Sequence, residues 1–528
     1  MLYNILNDVK KKLQYLSVAC LVVVTVSSCS DFLEVESHHA ASEQQQWKTL
    51  EDTRAALMGV YGLMRAAVAD NNTQWVCGEL RMGDFTVNGR TDLQAVVDND
   101  LNLNIPLVAS VSDWRRFYAV VNAASVFLEK ASQVVGKDQA YSEQNLEYDK
   151  AQVRALRALA YFYMVRIWGD VPLITYSYDN GSFPQAGRTD AATVLAYAKT
   201  ELLAAAEVLP FMYGSADNKY YRQDNTYWEG KLLNKLSTFA ILAHVSALSG
   251  NYAEVEAYTT YVLDNYLNIG IGAAALYVPI ADVVSAGGLF NDKNTTYAGN
   301  RLVAFNFPDN NNESTQGGHL EQWTLATPYV QRSEPELYVS RDSLSIIFND
   351  VNDQRFGVDT ATMSYNSNYI DMKAQYPLFK KINVVQDGAA ADGDFAIFGS
   401  SIIFTRMEEM QLLRAEAQVM LNRPSDALAC LNDMRSARGL PQFSYKKDFK
   451  EDKMKLLDSI FDERRRELMG EGWRWYDLVR RQKICRDNAP FLQFLEAGGE
   501  YWPVSEEVLK NNPQITQNAY WENRLLTN

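Results

Sequence analysis

Three stretches of this chain repeat apolar residues at alternating steps of three and four, the spacing of one face of a helix. In 151–168 the stripe is Val153, Leu156, Ala160, Tyr163 and Ile167. In 229–249 it is Leu233, Leu236, Ala240, Ala243 and Ala247, and in 403–421 it is Met410, Leu413, Ala417 and Met420. Each run is too long and regular for a strand. The second and third lead through compact turns, Ser249-Gly250-Asn251-Tyr252 and Asn422-Arg423-Pro424-Ser425, into further helical segments. Alanines on the first helix let a second approach closely, the pattern of tetratricopeptide-like pairs. Segments 50–69 with 113–135, and 148–168 with 191–209, extend the series. The pairs keep no fixed period, and one pair cannot bury its stripe alone, so neighbours must stack. The expected fold is mainly α: stacked tetratricopeptide-like helical hairpins with long irregular loop insertions.

The insertions are 266–402, with a short helical piece near 334–348, and a similar stretch at 70–112. Clusters such as GGLFNDKNTTYAGN and DGAAADGDFAIFGSS break the periodicity. Long loops in compact proteins are functional or disordered, and the aromatic content of these argues against disorder. A pyranose presents an apolar C–H face that stacks on Trp or Tyr, and hydroxyls that pair with Arg, Asp, Asn and Gln. On that chemistry the candidate ligand-binding residues are Trp75, Arg81 and Asp84 in 75–90, Trp323 and Tyr329 in 319–331, and Tyr297.

The amino terminus reads as an export signal. Lys10, Lys11 and Lys12 precede a short apolar run, Leu13 to Val26, that falls short of the roughly 20 residues needed to span a bilayer. It closes on Val26-Ser27-Ser28-Cys29, which resembles a bacterial lipobox and makes Cys29 the expected acylation site. Cys77, Cys430 and Cys485 lie at wide, irregular spacing, neither a disulfide framework nor a zinc motif, and are expected as buried thiols, with one pair among the three left open by the sequence. A formal charge of -15 disfavours nucleic acid as a partner. The four histidines form no metal-ligand spacing, and His244 reads as a satisfied core residue. No catalytic residue, metal site or cofactor is expected. An internal ion-pair lattice is expected around Arg464 to Arg466, with Glu463, Glu467 and Asp477 as the counter-charges.

Three charged, aromatic segments are not explained by periodicity: Arg154 to Leu173 (RALRALAYFYMVRIWGDVPL), Phe461 to Arg480 (FDERRRELMGEGWRWYDLVR) and Tyr501 to Tyr520 (YWPVSEEVLKNNPQITQNAY). Together, in order and with Leu412 to Ala417 and the Arg438-Gly439-Leu440 turn, they resemble the SusD/RagB family of Bacteroidetes outer-membrane lipoproteins. Tyr501-Trp502-Pro503-Val504 departs from that family's usual Leu-Pro-Ile-Pro. The resemblance implies a non-catalytic lid over a SusC-like TonB-dependent outer-membrane transporter. It implies a nutrient ligand, an oligo- or polysaccharide, with a RagB-like peptide as the alternative and a surface glycoside hydrolase as a third reading. The corresponding organisation is a signal peptide at 1–28, a flexible tether at 29–48, an N-terminal helical region at 49–265, a loop-rich variable region at 266–402 and a C-terminal helical region at 403–528. The expected location is the outer membrane, lipid-anchored and facing the exterior.

Overall fold

The computed structural model describes residues 46–178, 185–215, 217–270, 275–307, 313–359, 364–389, 395–522 and 524. The signal segment, Cys29 and most of the expected tether lie outside the described residues. Packing begins inside the stretch read as tether: Trp47 is buried, its ring edge-on to Phe127 at 5.6 Å.

From there the chain builds helix upon helix. Helices α1 (Leu50–Ala69), α2 (Arg115–Lys130), α3 (Glu143–Trp168), α4 (Ala191–Val208), α5 (Lys235–Leu248) and α6 (Tyr252–Asp264) form the first series. After the long insertion come α7 (Met407–Met420), α8 (Pro424–Ala437), α9 (Lys453–Glu467) and α10 (Arg474–Cys485). Each packs on the next, α6 on α7 across the insertion included. This is the expected stack of helical hairpins.

Local chemistry sets the starts of these helices. Thr49 and Asp52 satisfy each other's backbone N–H at the start of α1. Ser142, Asp190, Asn234 and Asn251 each accept a first-turn N–H of α3, α4, α5 and α6. Ala240, Ala243 and Ala247 are buried with Val255, Val262, Met410 and Leu413, so small residues mark where α5, α6 and α7 come close. Helix α3 is enclosed on nearly all sides from Ala151 to Trp168, as befits a helix at the centre of the core.

Two boundaries differ from expectation. The helix expected from 229 starts at Lys235, because Asn234 caps it and the preceding residues turn. The helix expected from 403 starts at Met407. Ile402, Ile403 and Phe404 instead lie in a strand, since an apolar β-branched run suits a buried ladder as well as a helix. The insertions contribute strands β1 (Thr86–Val87), β2 (Val303–Phe305) and β3 (Leu337–Tyr338), and β4 (Ile402–Thr405) follows. β1 pairs antiparallel with β3, and β4 with β2. The helical piece expected near 334–348 is Arg341–Ile347.

The three motifs are joinery. Gly169 ends α3 at φ 75°, and a Cβ there would sit 3.0 Å from the Tyr501 ring. The Trp502 N–H donates to the Ile167 carbonyl at 2.7 Å, and Arg188 reaches both the Trp168 carbonyl and Asn518 Oδ1. The end of the first motif is thereby bonded to the third.

The second motif carries the ion lattice. Glu467 is fully buried, with Arg355 at 3.1 Å, Arg406 at 3.0 Å and Arg438 at 2.8 Å. Glu463 faces Arg355 at 2.7 Å and Arg466 at 2.8 Å. Glu471 faces Arg406 at 2.8 Å, and Lys381 Nζ donates to the Glu467 carbonyl at 2.7 Å. The expected neutralisation within the motif holds for Arg464 with Asp477 and for Arg466 with Glu463. Arg465 instead pairs with Asp84, and Glu467 takes its partners from the insertion, from the residue just before α7 and from the residue just after α8. Burial pushes Glu467 up, but the Arg438, Arg406 and Arg355 guanidiniums outweigh it and hold the carboxyl well below its ordinary range. Burial likewise raises Glu463, and Arg355 and Arg466 bring it down to about 2.

Removing one partner strands buried charge, so Glu467→Gln is expected to lower the unfolding free energy by about 3–5 kcal/mol, read from urea titration. A carboxyl held below its unfolded value stabilises the fold above that value. The contribution of Glu463 is therefore present above about pH 4.5 and is lost as pH falls towards 2. Stability measured across that window is expected to drop, with a shallower slope in Glu463→Gln.

Candidate functional site

Pairing of β1 with β3 brings together the two loop stretches richest in candidate ligand residues. Asn88 N–H donates to the Glu336 carbonyl, and Arg90 pairs with Glu336 at 2.7 Å. Four of the six candidate side chains nevertheless point inward. Trp75 is 2% exposed and donates its indole N–H to the Gly470 carbonyl. Arg81 is buried on the Trp475 ring at 4.2 Å and donates to the carbonyls of Gly499 and Glu500. Asp84 is buried between Arg465 and Arg474. Trp323 is buried in the main core. A buried ring offers no face for a sugar to stack on, and the buried Arg81 and Asp84 already have partners within the chain. Tyr297 and Tyr329 are half-buried, with hydroxyls donating to Asp282 at 2.6 Å and to Asp371 at 3.0 Å.

The helical turns Thr73–Trp75 and Val76–Leu80 instead grip the second motif. The Glu79 carboxylate accepts the N–H groups of Gly470 and Gly472 at 2.8 and 2.9 Å, and Gln74 donates to the Glu471 carbonyl. Gly470 and Gly472 hold φ of 80° and 82°, and any Cβ on Gly78 would overlap the Gly472 carbonyl. Burial pushes Glu79 up to about 7, against the pull of the two amides. His244 lies in the core as expected, buried and stacked on Trp473, with Nε2 3.0 Å from the Glu409 carboxylate. Cys77 and Cys430 are buried thiols, whereas Cys485 is half-buried.

An accessible ring with polar neighbours occurs elsewhere, in a groove of about 290 Å³ between α1, residues 225–232 and β2. That is near the lower bound of small-molecule pockets, roughly 300–1,000 Å³. In the short helix Asn225–Trp228, Trp228 turns inward and donates its N–H to the Tyr220 carbonyl, leaving Tyr227 38% exposed. The Lys231 ammonium sits 4.1 Å from the Tyr227 ring, and burial pushes its pKa down. Arg54 donates to the Tyr227 hydroxyl at 3.2 Å. Across the groove Arg65 binds Glu313 and the Asn306 carbonyl, each at 2.6 Å. Asn306 donates to the Gly230 carbonyl, and its own side-chain oxygen has no partner. The result is a partly exposed ring, with the Lys231 ammonium over it and Trp228 edge-on beside it, among Arg, Asn and Glu side chains of the kind saccharide hydroxyls pair with. The sequence signal was the density of rings in Lys219 to Lys231 (KYYRQDNTYWEGK), a stretch lying between helices rather than in the long insertions.

A second concavity of about 900 Å³, bounded by Asp70, Asp113, Glu506 and Lys510, is wide and lined by no aromatic ring. A third, of about 620 Å³, lies between α3, α4, α5 and α10.

Comparison with known proteins places this architecture. A model described as "SusD family" matches residues 349–521, and one described as "Starch-binding associating with outer membrane" matches 31–224. SusD-like protein P38 of Formosa agariphila is 25% identical over 550 residues, 96% of this chain and 99% of that protein. The crystal structure of a SusD superfamily protein from Bacteroides thetaiotaomicron is 56% identical, with a TM-score of 0.83 over 90% of this chain and 100% of that one. A SusD homolog from the same organism, 24% identical, covers 89% of this chain and 98% of its own with a TM-score of 0.70.

Trp75→Ala and Trp323→Ala are expected to cost about 3–5 kcal/mol each as core truncations. Tyr227→Ala, at the surface, is expected to change stability by less than about 1 kcal/mol. Thermal melting of the three variants checks the assignment of scaffold and groove.

Proposed function

The chain belongs to the SusD family, and from that premise we propose that it captures an oligo- or polysaccharide at the cell surface and passes it to a SusC-like TonB-dependent transporter in the outer membrane. The observation that carries the ligand class is Tyr227, an accessible ring with Arg54, Lys231, Arg65 and Asn306 around it. A pyranose stacked on that ring meets guanidinium, ammonium and amide groups at the level of its hydroxyls. The family description of starch binding and association with the outer membrane supports both ligand class and location. Acylation at Cys29 supplies the anchor, and no helix among the described residues is long and apolar enough to cross a membrane.

The reading is of binding without cleavage. Glycoside hydrolysis takes two carboxyl groups flanking the scissile bond. Among the described residues of the groove Glu313 is the one acid, and it is engaged with Arg65.

Calorimetric titration of the purified chain against a panel of oligosaccharides and peptides tests this. One saccharide class is expected to bind, and Tyr227→Ala to weaken it by about three- to tenfold, the worth of one aromatic contact, with unchanged melting. Peptide binding in the absence of any saccharide binding would overturn the ligand class. Release of reducing ends by the pure protein would overturn the non-catalytic role.

A further inference from the structure

The 620 Å³ cavity contains a buried cation with no counter-charge. Arg166, on the last turn of α3, lines it and is 6% exposed. The faces of its guanidinium are covered: the Tyr163 ring lies at 3.9 Å and the Tyr476 ring at 4.4 Å. Its edges are not. Nη2 makes a long bond of 3.4 Å to Gln74 Oε1, while Nε and Nη1 have no acceptor. None of the ion pairs among the described residues includes Arg166, and the hydroxyl of Tyr476, also on the cavity wall, is unpartnered. The other charged groups lining the cavity are matched: Arg480 with Glu416, His244 with Glu409, and Lys483 with Glu500.

Ring contacts compensate a guanidinium's faces but leave its N–H edges and its net charge unanswered, and burying such a charge is costly. The rest of the wall, Ser249 apart, is apolar or aromatic, with Phe162, Leu195 and Trp475 among its residues. We propose that this cavity is a second binding site, separate from the Tyr227 groove, for a small organic carboxylate with an apolar body. The carboxylate brings the missing counter-charge and acceptors to Arg166, and the body displaces water from the walls of α4, α5 and α10. The volume falls within the usual span of small-molecule pockets, roughly 300–1,000 Å³.

The test compares acids with alcohols of the same skeleton: octanoate with octanol, and 3-phenylpropionate with 3-phenylpropanol. Each is titrated into the full purified chain by calorimetry and followed by the fluorescence of Trp473 and Trp475, which line the cavity. At least one acid is expected to bind about tenfold or more tightly than its alcohol, one charge-assisted contact's worth. Arg166→Met is expected to abolish that preference. Ala192→Trp, an exposed position at the mouth, leaves Arg166 in place and is expected to weaken acid and alcohol alike. Equal affinity for acid and alcohol, or binding of neither by a chain that melts normally, would overturn the proposal. Should Arg166→Met fail to fold, the acid–alcohol comparison on the unaltered chain and on Ala192→Trp still decides it.

Discussion

The docking of the long insertion onto the C-terminal helices is centred on one carboxylate. Glu467 at the end of α9 is out of reach of water and faces guanidiniums from three separate places: Arg355 from the long insertion, Arg406 just before α7, and Arg438 after α8. Buried pairs of this kind add little net stability over a well-packed apolar core, because desolvation cancels most of the attraction. Their effect here is on specification. An insertion of well over a hundred residues has only short helices and strands of its own, and its docking position is set where Arg355 and Lys381 find their acceptors. Misregistered packing would leave several charges buried without partners, a far larger penalty than a poorly fitted methyl group.

The family motifs and the candidate groove beside Tyr227 belong to different layers. The motifs tie segments distant in sequence: Trp502 to Ile167, Glu79 to Gly470 and Gly472, Arg465 to Asp84. The groove takes its polar rim from α1, the 225–232 turn and the region after β2, none of which carries a motif. Chemistry at the groove can change without disturbing the lattice, which suits one scaffold serving different ligands.

The helical stack was legible because 3.6-residue periodicity needs only local spacing, and Ala240, Ala243 and Ala247 also marked where helices touch. The strand at Ile402–Thr405 was not, since a short apolar run fits a buried strand or a helix equally. Trp75, Arg81, Asp84 and Trp323 have the residue types of a sugar site, but residue type does not reveal which way a loop turns its rings. Their partners, Gly470, Gly499, Glu500 and Arg465, lie hundreds of residues away or in another element. The charge lattice was half visible: Arg464 to Asp477 is a local pair, whereas Arg355, Arg406 and Arg438 meet Glu467 only in space.

The clasp of Glu79 on two backbone amides also has a consequence in time. Its two ends are separated by 391 residues in the chain. At roughly 5–20 residues per second of synthesis, the carboxylate waits on the order of 20–80 s for its acceptors to exist. Until then the Trp75 indole N–H and the Glu79 carboxylate lack their native backbone partners, and Gln74 is held only from the side of α3. Such late, non-local closure makes for slow completion of the fold. The amino-terminal helices therefore reach their final packing only after the last third of the chain has been made.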